Sequence, residues 1–189
     1  MTAPFDVIKV RLRAQPPQRV HRPDAREAAV ALILAPGAGE ELELLLIERA
    51  ERSGDPWSGQ MALPGGRREE TDDGLLDTAR RETWEETGIE LPPNSLLGEL
   101  DDLFPNIKVL PEIVVRPFVF GLEFRPAVIP TREVAAHLWV SLLELPQRRR
   151  PAEVVIRQEK RKVDAFVLGE QVVWGITYRI VATLLGMKP

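Results

Sequence analysis

Residues 81–89 of this chain read Arg81-Glu82-Thr83-Trp84-Glu85-Glu86-Thr87-Gly88-Ile89, and a Gly65-Gly66 pair lies upstream. Wound as a helix, Glu82, Glu85 and Glu86 fall within an arc of roughly 100°. Carboxylates that close repel one another, at roughly 0.2–0.5 kcal/mol for each neighbouring pair. Divalent cations offset that repulsion. An oxygen-rich site of this kind suits Mg²⁺ or Mn²⁺, the ions that accompany phosphate chemistry.

Such a cluster needs elements to hold it. Thr71, Asp72 and Asp73 are N-cap candidates for a helix that runs to Thr87, with Gly88 at its C-terminal cap. Leu76, Ala79, Thr83 and Thr87 form a narrow seam beside the three glutamates. The seam can pack on a sheet while the carboxylates face a cleft at its edge. Upstream, residues 49–66 carry Gly54, Pro56, Gly59, Pro64, Gly65 and Gly66. They read as a long loop with a short strand at 60–63, and long structured loops are often functional. The apolar run 28–34 predicts a buried strand, joined through a turn at 36–39 to a second strand at 42–47.

Further strands are expected at 96–103 and 113–124. Residues 133–139 read as a turn of helix leading into a strand, and 142–145 as a helical turn closed by Pro146. Short strands at 154–156, 164–168 and 171–174 precede an amphipathic helix over 176–185. At the other end, residues 4–14 predict a short amphipathic helix, and Pro16, Pro17 and Pro23 mark an irregular linker. The division expected is an N-terminal segment, 1–24, and one domain, 25–189.

Bulk composition narrows the classes. A chain of 189 residues with 44% hydrophobic and 29% charged residues folds as an ordinary globular domain. The net charge of −4 weighs against nucleic acid as a partner. With no cysteine, disulfides and thiolate metal sites are excluded. No signal peptide or membrane-spanning run is evident, so a cytoplasmic location is expected.

Gly66 followed by Arg81-Glu82-x-x-Glu85-Glu86-x-Gly88-Ile89 resembles the Nudix box, a loop–helix–loop motif of pattern G-x5-E-x7-R-E-U-x-E-E-x-G-U, where U is a bulky aliphatic residue. The match is close after Arg81 and looser before it. Fourteen residues rather than thirteen separate Gly66 from Arg81, Asp73 stands at the first acidic position, and Thr83 at the first U. The extra residue and the aspartate are similar to the coenzyme A pyrophosphatase branch of the family. So are Leu44-Leu45-Leu46-Ile47-Glu48-Arg49, Gly59-x-x-x-Leu63-Pro64-Gly65-Gly66, and Val173-Trp174-Gly175-Ile176-Thr177-Tyr178-Arg179-Ile180. One departure bears on substrate. The branch carries arginine four residues before the glycine matched by Gly59; here Asp55 stands there, and the arginines fall at Arg49 and Arg52.

The resemblance implies an α/β fold, a Nudix-type α/β/α sandwich with a mixed sheet. It implies metal-dependent hydrolysis of the pyrophosphate bond of a nucleoside diphosphate derivative, with a small-molecule nucleotide as partner. Coenzyme A is the leading substrate; ADP-ribose, NADH or a dinucleoside polyphosphate are the alternatives. A module that senses a nucleotide without cleaving it is the alternative of another class, and a homodimer is left open. The expected metal-holding groups are Gly65, Glu82, Glu85 and Glu86, with Mg²⁺ or Mn²⁺. Glu82, Glu85 and Arg81 are the expected catalytic residues, Arg81 orienting carboxylates by pairing with Glu85 or Asp73. Glu82 or a carboxylate outside the box serves as base, and Asp73 and Glu133 are accessory candidates. Arg49, Arg52, Trp57 and Trp174 are the candidate substrate contacts. Arg148-Arg149-Arg150 reads as a solvated loop, and His21 and His137 have no partner at ligand spacing.

Overall fold

A computed structural model of the chain describes residues 5–14, 16–39, 41–52, 58–105, 112–156 and 159–188. Strand β1 (Arg26–Pro36) runs through its middle. Alternate side chains serve two cores: Ala29, Ala31 and Ile33 face one, while Ala28, Leu32 and Leu34 face the other. A strand covered on both faces reads as an uninterrupted apolar run, which is why its sequence signal is strong.

β2 (Leu42–Arg49) pairs antiparallel with β1 only from Pro36↔Leu42 to Leu34↔Leu44. The two strands then part. β3 (Met61–Ala62) pairs with β2 at Ile47 and Glu48, and β4 (Gly65–Arg67) pairs with β1 from Ala28 to Val30. Pro64 lies between them, and its carbonyl accepts the Ala31 N–H at 2.8 Å. The diglycine is thus laid along the edge of β1 where β2 has left it.

On the other edge of β1, β6 (Ile113–Gly121) runs parallel, and β5 (Leu96–Glu99) pairs antiparallel with β6. β7 (Val134–Ser141) pairs antiparallel with β2. The seven strands form one mixed sheet. β8 (Arg149–Ile156), β9 (Glu159–Leu168) and β10 (Gln171–Trp174) form a second, antiparallel sheet.

Three helices complete the layers. α1 (Asp6–Arg13) packs Phe5, Ile8 and Leu12 against the larger core. α2 (Leu75–Thr87) covers one face of the main sheet through Leu75 and Ala79, beside Leu45, Phe118 and Phe120. α3 (Gly175–Leu184) covers the other with Ile180, Val181 and Leu184, beside Phe166 and Val173. The α/β/α arrangement expected from the motif is present, with the small sheet added beside α3.

Several elements differ from expectation. Residues 154–156 and 164–168 belong to one long hairpin, β8–β9; β8 alternates between exposed and partly buried residues over 151–156, but residues 159–162 of β9 are all charged and exposed and show no alternation. Arg148 ends a 3-10 turn, and Arg149 and Arg150 open β8 rather than a loop. Pro146 sits near the start of that turn, where a missing N–H costs nothing, instead of closing a helix. β7 begins directly at Val134, after a turn in which the Val134 N–H donates to the Thr131 carbonyl. The proline-rich stretch is docked: buried Asp102 takes Arg116 through Nε and Nη2 (2.8 and 2.9 Å), Arg19 Nη1 (3.2 Å) and the Val20 N–H (3.1 Å). Burial alone would raise this carboxyl, but the bidentate Arg116 holds it below its ordinary value.

Candidate active site

α2 starts at Gly74 in extended backbone, and no side chain caps it. Asp72, expected among the N-cap candidates, does something else. Its buried carboxylate accepts Arg81 Nε on Oδ1 and Arg81 Nη2 on Oδ2, both at 2.9 Å, with Thr78 Oγ1 (2.8 Å) and the Glu69 N–H (2.9 Å). The Arg81 hydrogen bonds hold Asp72 well below the usual carboxylate range, against the effect of burial. Of the two partners expected for Arg81, Glu85 is engaged, while Asp73 is exposed and its neighbour Asp72 takes its place. Two adjacent aspartates look alike in a sequence, but only one faces inward from the turn.

Arg81 is thereby aimed along the helix. Its Nη1 reaches Glu82 Oε1 at 2.9 Å and Glu85 Oε2 at 3.1 Å, and its Nη2 donates to the Arg67 carbonyl at 3.0 Å. Glu86, one turn on, is 4% exposed and accepts the Gly65 N–H at 2.9 Å. Burial, with the like charges of Glu82 and Glu133, pushes Glu86 up to about 7, although Gly65 and the charge of Arg49 oppose this. Glu82 is raised too, by burial first and then by Glu85 and Glu133, against the pull of Arg81.

Both glycines are required by contact. A Cβ on Gly65 would press on the backbone of β1, at Ala29 O and Val30 Cα, and φ there is +149°. A Cβ on Gly66 would instead meet the Glu82 carboxylate, the mobile end of a side chain. The two alanine variants should therefore fail differently. Gly65→Ala is expected to lower the melting temperature sharply. Gly66→Ala should melt near wild type yet lose about 10²-fold in turnover, because it displaces one carboxylate by an ångström or so. A Gly66→Ala enzyme that melts normally and turns over normally would show that Glu82 need not lie there.

The donor set fits a divalent cation. Arg81 Nη1 bridges Glu82 and Glu85 while Glu86 accepts from Gly65, and among the described residues no three acidic or imidazole groups already gather as a cluster. Glu86 nevertheless keeps a buried carboxylate among the like charges of Glu82 and Glu133, raised by burial first and by those charges after it. Glu82, Glu86 and backbone carbonyls are hard oxygen donors of the kind Mg²⁺ and Mn²⁺ take.

The structure therefore brings together Gly65, Arg81, Glu82, Glu85 and Glu86. Arg49 ends β2 beside a β-bulge, where Ala135 of β7 is skipped in the register, and its charge acts on Glu86. Arg52 pairs with Glu133 at 2.9 Å. Trp174 lies elsewhere, lining a cavity of about 310 Å³ with Glu48, Gln60, Gln171 and their neighbours. Trp57 and Asp55 lie outside the described residues. His21 and His137 are exposed. Sequence reasoning missed Asp72, whose only local signal was a position beside Asp73, and the cavity residues Glu48, Gln60 and Gln171.

A carboxylate-bearing helix set against a diglycine strand, in a mixed sheet between helices, is the arrangement that the resemblance to the Nudix box implied. Residues 25–160 match the model of the NUDIX domain. The uncharacterized Nudix hydrolase NudL of Salmonella dublin is 32% identical over 185 residues, covering 92% of this chain and 90% of its own. An uncharacterized Schizosaccharomyces pombe protein is 40% identical over 107 residues, and the match spans only 32% of its length. Among solved structures, a MutT/nudix family protein from Enterococcus faecalis superposes with a TM-score of 0.62 at 19% identity, covering 86% of this chain and 61% of that one. The chain belongs to the Nudix family. It is a pyrophosphohydrolase acting on nucleoside diphosphate derivatives, an activity for which the family generally uses divalent metal ions. No helix among the described residues is long and apolar enough to cross a membrane.

Proposed function

We propose that this Nudix hydrolase acts in the cytoplasm on coenzyme A or a derivative of it, releasing a phosphopantetheine product and adenosine 3′,5′-bisphosphate. One observation carries the reading. Glu48, Gly59 and Trp174, one from each of the three segments that resemble the coenzyme A branch, line the same cavity, with Gln60, Met61 and Gln171 beside them. They lie far apart in sequence, and nothing in the catalytic chemistry requires them to meet. Carboxylate and amide groups there favour hydrogen-bond donors such as the amides of a pantetheine arm over further phosphates.

Bound Mg²⁺ or Mn²⁺ would neutralise the anhydride oxygens and acidify a water. Glu82 and Glu86 would supply ligating oxygens, with Glu85 and the Gly65 carbonyl beside them. Arg81 would hold Glu82 and Glu85 in place through the contacts it already makes. Glu82 or Glu133 would accept the proton of the attacking water, and Arg49 and Arg52 would meet phosphate oxygens.

The test is a substrate panel. Coenzyme A, ADP-ribose, NADH and a dinucleoside polyphosphate are compared with Mg²⁺ and with Mn²⁺. Coenzyme A should show the highest kcat/KM, and Gln171→Ala should raise its KM with less effect on ADP-ribose. Equal or better cleavage of ADP-ribose would move the enzyme to the alternative substrate class.

A further inference from the structure

The segment entering β7 is tied to the helix that carries the carboxylates. Ile129 N–H donates to the Thr87 carbonyl at 2.8 Å, and Thr131 N–H to the Glu86 carbonyl at 3.3 Å. From the other side, Ala50 N–H donates to the Glu133 carbonyl at 2.8 Å. These bonds seat Glu133 in the corner between the last turn of α2 and the end of β2. From there its charge acts on both Glu82 and Glu86. Its carboxylate is nevertheless committed to Arg52, with Nη2 to Oε1 at 2.9 Å. Arg52 in turn donates its N–H to Ser58 Oγ at 2.5 Å. Both side chains of the pair are half-exposed, at 45% and 46%, and such pairs add little stability and exchange readily.

We propose that Arg52 is a substrate-operated latch on Glu133. Without substrate, Arg52 holds the Glu133 carboxylate away from the metal-binding cluster. A substrate phosphate accepts the same parallel hydrogen bonds from a guanidinium as a carboxylate does. It draws Arg52 to itself, and Glu133 turns to Glu82 and Glu86. The cluster thus gains its fourth carboxylate only when an anhydride is present, and ion affinity becomes linked to substrate. This rests on the reading of Glu82 and Glu86 as metal-binding groups.

The test is Mn²⁺ binding without substrate, by electron paramagnetic resonance, on wild type, Arg52→Gln, Glu133→Gln and the double variant. Arg52→Gln should bind Mn²⁺ about tenfold more tightly, a usual size for coupling between two groups. Glu133→Gln on its own should weaken binding only by the loss of a nearby charge, because the latch already withholds that carboxylate from the ion, but should also abolish the gain in the Arg52→Gln background. In turnover, Arg52→Gln should raise KM more than it lowers kcat, and Arg52→Lys should recover part of the loss. A Glu133→Gln effect that is the same in both backgrounds overturns the latch, since simple charge addition then suffices. Glu86→Gln serves as the control. If it weakens Mn²⁺ binding while the cycle is additive, the latch alone fails; if it leaves binding unchanged, the metal-site reading fails and the latch with it.

Discussion

Glu86→Gln is expected to cut metal-dependent turnover about 10³-fold, the scale seen when a charged group that stabilises a transition state is removed. The fold should survive. Glutamine keeps the shape, and its amide oxygen can still accept the Gly65 N–H that Glu86 accepts at 2.9 Å. The variant should even be the more stable protein in a chelating buffer near neutral pH. In the fold, Glu86 is pushed up to about 7 from its ordinary 4.5, so the folded state prefers it protonated. A group raised in this way adds stability that is fully present below pH 4.5 and is lost as pH rises through about 7. At 1.36 kcal/mol per pKa unit the loss is on the order of 3 kcal/mol. Thermal melts in EDTA from pH 5 to 8 should therefore slope downward for wild type and less steeply for Glu86→Gln, in which the raised Glu82 remains. Saturating Mn²⁺ should reverse the order, because only the carboxylate binds the ion. If the two proteins melt in parallel in EDTA across that range, the Glu86 carboxylate is not the strained group described here.

The slope has a structural origin that bears on function. A carboxylate 4% exposed, beside Glu82 and near Glu133, is unfavourable in the metal-free fold. A bound divalent cation would relieve that cost, so the burial of Glu86 would add to the affinity for the ion. The same reasoning explains why Arg81 touches Glu82 and Glu85 but not Glu86. A permanent cation on all three carboxylates would compete with the ions they are placed to hold.

How much of this was legible depended on whether a signal was local. The carboxylate helix, its end at Gly88 and the apolar β1 run follow from spacing over a few residues, and all three are present. The diglycine was legible as a site but not as a strand. β4 exists because β1 and β2 separate after Leu34 and Leu44, and a three-residue strand fills the opening. Glu133 was legible only as an isolated acid. Its placement comes from backbone bonds to Thr87, Glu86 and Ala50, which join segments more than 40 residues apart. The β8–β9 hairpin was split into short pieces because residues 159–162 of β9 are all charged and exposed, so that half of the strand carries no apolar mark.

The choice between Asp72 and Asp73 shows the same limit and yields the other large effect. Asp72→Ala is expected to destabilise the protein by about 3–5 kcal/mol, the cost of breaking a buried ion pair by removing one partner. Four hydrogen bonds end on this carboxylate, two of them from Arg81. In a domain of this size that corresponds to a drop of roughly 10 °C in Tm. Asp73→Ala, at an exposed position, should stay within about 0.5 kcal/mol of wild type. The pH dependence should separate them too. Because Asp72 is held well below its ordinary 3.8, its contribution is present above that pH and is lost as pH falls toward the folded-state value. Wild type should thus lose stability on acidification below pH 4 more steeply than Asp72→Ala. Function should follow. Without Asp72, Arg81 keeps Glu69, Glu82, Glu85 and the Arg67 carbonyl among the described residues. A guanidinium freed from its anchor settles more firmly on Glu82 and Glu85, and Mn²⁺ must displace it. A fall of about 10–100-fold in Mn²⁺ affinity is expected, as for other partners that orient metal ligands. Equal effects of the two alanine substitutions on Tm and Mn²⁺ affinity would mean that Arg81 is not oriented from Asp72, and that the order within the carboxylate cluster has another source.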